Sequence, residues 1–171
     1  MNVDNVRRDH WLVGGLALLL LLDLLILAWF SFGGTVTVGS TSVSFGGSLT
    51  ATDAPDGWLG VLAVISSILI LVDLVIEQVS PQTAVPAVGG SRAGTRFVLA
   101  LATALFMALK FLFHLGSFSN LGIGFWIGAA LVIALVYFAY QARNATAVAP
   151  PRRTGPAAPT GPPGSSGPPT A

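Results

Sequence analysis

Four long apolar stretches constrain this chain more than any other feature, at 11–30, 58–76, 97–115 and 121–140. A helix rises about 1.5 Å per residue, so roughly 20 apolar residues match a hydrocarbon core about 30 Å thick. All four stretches meet that length. With 53% of residues hydrophobic and 9% charged, the composition supports the same class, and the expected fold is an all-α membrane protein. We expect a four-transmembrane-helix bundle over 1–141, with an outer loop at 31–57. A disordered Pro/Gly-rich cytoplasmic tail is expected at 142–171.

The net charge of +1 says little, but the placement of the basic residues is informative, because lysine and arginine mark cytoplasmic loops. Arg7 and Arg8 precede the first stretch, Arg92 and Arg96 follow the second, and Arg143, Arg152 and Arg153 follow the fourth. The connections between the first and second stretches and between the third and fourth contain neither residue type. Both termini are therefore expected in the cytoplasm of a multi-pass cell-membrane protein. Trp29 and Trp58 would lie at the outer interface, and Trp11, Tyr137 and Tyr140 at the inner one. The first stretch exceeds a usual signal-peptide core and has no A-x-A site, so it reads as a retained signal anchor.

The outer loop contains TVTVGSTSVSF, whose period-2 alternation predicts a β-hairpin with strands at Thr35 to Val38 and Ser42 to Phe45. Such a hairpin would serve as a compact connector or an extracytoplasmic docking surface. The tail holds eight of the eleven prolines and has little to bury. Its P-x-x-P spacing at Pro156 to Pro159 and the Asn144-Ala-Thr sequon carry no function in this reading.

Within GGLALLLLLDLLILAWF, Asp23 follows five leucines, and a charge near the bilayer centre costs about 2.5–3.5 kcal/mol unless partnered. Counted from each stretch's midpoint, Asp23 lies about 4 Å and Lys110 about 6 Å toward the outside. Lys110 shares one stripe of its helix with Arg96, Thr103, His114 and Ser117. We therefore expect a buried Asp23–Lys110 ion pair with His114 close by. The alternative is a proton or ion relay through Asp23, Lys110 and His114.

Asp73 and Glu77 are four residues apart on the second stretch, where they could reach Arg92 or Arg96 as an inner-face polar cluster. Gly124 and Gly128 form a G-x-x-x-G spacing that suits close helix packing. Cysteine is absent, which excludes disulfides and thiolate chemistry. No phosphate-loop, zinc-protease, hydrolase or kinase signature occurs, so no enzyme activity, metal or cofactor is expected. Expected partners are the lipid bilayer and either another membrane protein or a second copy, with no nucleic acid.

The runs RRDHWLVGGLALLLLLDLLILAWFSFGG, DAPDGWLGVLAVISS, SRAGTRFVLALATALFMALKFLFH and ALVYFAYQAR resemble small four-helix integral membrane proteins of high-GC actinobacteria with no assigned function. That resemblance implies a lineage but no activity or site residue. Two function classes follow from the residues. The first is a non-enzymatic scaffold or accessory subunit, and the alternative is a small oligomeric transporter or channel for protons, ions or a solute. A membrane enzyme using Asp23, Lys110 and His114 is a more distant third.

Overall fold

The computed structural model describes residues 3–53, 56–80 and 87–148. Among these residues the chain forms four α-helices: α1 (Val3–Ile26), α2 (Gly57–Val79), α3 (Arg92–Phe113) and α4 (Ile123–Val148). An antiparallel hairpin of β1 (Phe30–Val38) and β2 (Thr41–Leu49) separates α1 from α2, and a short 3-10 segment, Leu115–Asn120, precedes α4. Helices α1 and α3 each pack against both α2 and α4, so the four form an up-down ring.

The core is an a/d-like seam from each helix. On α1 it is Val13, Ala17, Leu20 and Leu24, and on α4 it is Phe125, Val132, Leu135 and Ala139. The buried row of α3 reads Arg96, Ala100, Thr103, Met107 and Lys110, with a polar residue at every seventh position. Spacings of three and four keep one face turned toward the partner helices. The outward faces have the opposite character from those of a water-soluble bundle. Leu19, Ile26, Ile65, Leu69, Val75, Leu105, Phe113, Ile123 and Ile133 are exposed, whereas Asp23, Asp73, Arg96, Thr103 and Lys110 are buried.

Three helical segments, Gly57–Val79, Arg92–Phe113 and Ile123–Thr146, are long and apolar enough to cross a membrane, while the apolar part of α1, His10–Ile26, is shorter. The first stretch was expected to stay helical to residue 30. Instead α1 stops at Ile26, because Trp29 enters the hairpin ladder and donates its backbone N–H to Leu49 O at 2.8 Å. Helix α3 starts earlier than expected because Ser91 caps it, its Oγ accepting from Gly94 N at 3.0 Å. Helix α4 continues to Val148, through the first residues of the expected tail. The remainder of that tail, with Arg152, Arg153 and the P-x-x-P spacing, lies outside the described residues.

The hairpin turns at Gly39 and Ser40, as the alternation predicts, with Gly39 at φ +62°. Each strand is longer than predicted, spanning nine residues. Most of the added residues, FSFGG at 30–34 and GGSL at 46–49, look like loop sequence because glycine weakens a strand. Here aromatic rings cover the gaps: Phe45 lies over Gly34 and Phe32 over Gly47. At the base, Phe30 bridges to Leu121 and Gly122 N donates to Trp29 O at 2.8 Å, which ties the ribbon to the start of α4.

Candidate functional site

Among the described residues the buried charges fall into three separate arrangements. At the end of the bundle away from the ribbon, Arg96 of α3 is 3% exposed and meets both acidic residues of α2. Its Nε donates to Asp73 Oδ2 at 2.5 Å, and its Nη2 donates to Glu77 Oε2. One helical turn separates the two carboxylates, so a planar guanidinium can reach both through different nitrogens. His10 of α1 joins the edge of the cluster, with Nδ1 3.7 Å from Glu77 Oε2. Arg92 opens α3 one turn earlier. The second oxygen of Asp73 is buried without a hydrogen-bond partner among the described residues.

Asp23 and Lys110 do not form the ion pair expected between them. Asp23 is 2% exposed, and its Oδ2 accepts the indole N–H of Trp29 at 3.2 Å, while Oδ1 has no hydrogen-bond partner among the described residues. Trp29 reaches back because the chain leaves α1 there and folds over its end. The indole packs edge-on against Phe125 of α4 at 5.7 Å. Gly128 lies directly against Asp23 Oδ2, Trp29 and Met107, so a Cβ at this position would collide with the carboxylate. Gly124 likewise faces Leu27, Ala28 and Trp29. The G-x-x-x-G spacing therefore sits at the α1–α4 seam.

Lys110, 1% exposed, turns toward the connection between β2 and α2. Its Nζ donates to Ala51 O at 2.7 Å, Asp56 O at 3.3 Å and Asp53 O at 3.4 Å, and it lies 5.8 Å from the centre of the Phe30 ring. An ammonium has three donors, and the backbone carbonyls of this connection accept from it. The connection can approach this closely because Gly60 has no side chain, and a Cβ there would strike the Ala51 carbonyl. Asp53 shapes the same turn by accepting from Thr50 N at 2.7 Å and Thr50 Oγ1 at 3.0 Å. Those two bonds, helped by the Lys110 charge, hold the Asp53 carboxyl below the usual carboxylate range.

His114 stands apart from Asp23. Its Nδ1 is 2.9 Å from Lys110 O on its own helix, and its ring packs against Phe30 at 4.8 Å. The three residues of the expected relay are thus engaged with different partners. Sequence reasoning missed Trp29 as the Asp23 donor and the loop carbonyls as the Lys110 acceptors. The T-x-T-D run at 50–53 signals a turn, but side-chain identity does not encode carbonyl direction.

Compared with protein-family models, curated proteins and solved structures, the chain matches none.

Proposed function

We propose that the chain is a multi-pass cell-membrane protein in which all four helices span the bilayer. Both termini face the cytoplasm, and the protein works as a non-enzymatic scaffold or accessory subunit. One observation carries the membrane reading: large apolar side chains cover the outside of the bundle while Asp23, Asp73, Arg96 and Lys110 lie inside. Monomers in water rarely expose apolar patches of such extent. The shorter apolar part of α1 fits a span whose ends are completed by interfacial residues, among them Trp11.

The scaffold reading is supported by the use made of the charged groups. Arg96 is occupied by two carboxylates, and Lys110 holds the turn that joins the ribbon to α2. The same contacts that fix helix register leave these groups engaged inside the protein. The test combines resistance to alkaline extraction from membranes with ion and proton flux in proteoliposomes. Retention in the membrane without flux is expected. A flux that Asp23→Asn abolishes without loss of folded protein would replace the scaffold with the alternative of a small oligomeric transporter. The unpartnered Oδ1 of Asp23 is the observation that keeps that alternative in view.

A further inference from the structure

The ribbon has two chemically distinct faces. Strand alternation and the observed register place Phe32, Val36, Val38, Val43 and Phe45 on one face. Ser31, Thr35, Thr37, Ser42, Ser44 and Ser48 occupy the other, where Thr37 and Ser42 hydrogen-bond across the strands at 3.1 Å. All five large apolar side chains are exposed. No charged residue occurs anywhere from Leu24 to Thr52.

The apolar face does not begin in isolation. Its first members, Phe30 and Leu49, face one another at the base, where Phe30 is buried against His114 and Leu49 packs on the hydrophobic core. The face that seats the ribbon on the bundle therefore continues outward, uncovered, along the rest of the strands. A second copy of the ribbon is too small to cover it stably. Nine residues at about 3.3 Å and two strands about 4.8 Å apart give a face of roughly 300 Å². Two such faces would bury roughly 600 Å², half of the approximately 1,200 Å² at which stable protein interfaces begin.

We propose that this face rests on the outer lipid surface around the bundle, making the hairpin a membrane-interfacial β-ribbon. The inference depends on the membrane reading above. Phe32, Val36, Val38, Val43 and Phe45 enter the boundary between headgroups and acyl chains, and the serine and threonine face remains in water. Both ribbon edges carry unpaired backbone groups, which cannot be left unsatisfied in hydrocarbon, so the strands themselves stay at headgroup level. The occupant is a lipid surface of either charge, because the ribbon offers no charge to select one.

The absence of cysteine makes site-directed spin labelling direct. The full chain, reconstituted in phosphatidylcholine vesicles, is labelled singly at Val36→Cys and Val43→Cys on one face and at Thr35→Cys and Ser44→Cys on the other. Ile133→Cys, exposed on α4, serves as the reference for lipid contact. The expected result is that the two valine sites lose collisions with a water-soluble nickel chelate and gain collisions with oxygen. The Thr35 and Ser44 sites keep contact with the chelate, and adding phosphatidylglycerol leaves the pattern unchanged. If all four ribbon labels meet the chelate while the Ile133 label meets oxygen, the inference fails and the membrane reading stands. If the Ile133 label meets the chelate, both fail. Spin–spin broadening at Val36 that disappears on dilution with unlabelled protein overturns the proposal in favour of a second copy. Protection of both faces overturns it in favour of an enclosing protein partner.

Discussion

Arg96 joins two carboxylates of one neighbouring helix, and removing it leaves both acidic groups without that partner in a largely apolar setting. Breaking a buried pair from one side costs about 3–5 kcal/mol. Arg96→Met should lower stability by that order in detergent unfolding, and adding Asp73→Leu and Glu77→Leu should restore much of the loss. Lys110→Met should cost about 1–3 kcal/mol, because the Ala51, Asp53 and Asp56 carbonyls lose a donor. Asp23 and Lys110 share no partner in the hydrogen bonds described above. Their substitutions should therefore add within about 0.5 kcal/mol in a double-mutant cycle, and a larger coupling would restore the direct pair. Asp53 supplies a pH dependence of known sign. Its folded pKa is depressed below 3.8, so its contribution is complete above the ordinary carboxylate value and is lost as pH falls through the folded one. The protection of the Thr50 amide against hydrogen exchange, taken relative to its intrinsic rate at each pH, should fall over that acidic window, and Asp53→Asn should remove the dependence.

Glycine and aromatic residues decide how the elements meet. Gly128→Ala pushes a methyl group toward the Asp23 carboxylate and Trp29, and overpacking of this kind costs about 1–3 kcal/mol. Thermal unfolding in micelles should show that loss, whereas Gly15→Ala, where a Cβ meets open space inside α1, should raise stability by about 0.5–1 kcal/mol. The turn of the hairpin was legible in TVTVGSTSVSF because period-2 alternation needs no tertiary information. Its full length was not, since FSFGG and GGSL become strand only when Phe45 and Phe32 cover the facing glycines. The seam of α3 was legible in part. Its polar stripe is periodic in the sequence, but the stripe identifies the inward face without identifying the partner. Arg96 found the carboxylates expected of an inner-face cluster, whereas Lys110 found backbone oxygens that no residue type announces.

At the scale of the molecule, the outward helix faces among the described residues are largely apolar while Asp23, Asp73, Arg96 and Lys110 are internal, the arrangement expected where the surrounding solvent is lipid. Chain order gives the inward cations of α3 a further consequence. Every acceptor described for Arg96 and Lys110 precedes them in sequence: Ala51, Asp53, Asp56, Asp73 and Glu77. During synthesis the acceptors emerge first, and the helix that needs them follows. On the membrane reading proposed above, the third segment leaves the translocation channel against a surface that is already complementary, without waiting for α4. Chains cut after residue 120 should insert α3 stably, whereas chains lacking α2 should release it to the aqueous side. Glycosylation mapping of the two truncations distinguishes these outcomes, and it makes the order of residues along the chain a determinant of biogenesis.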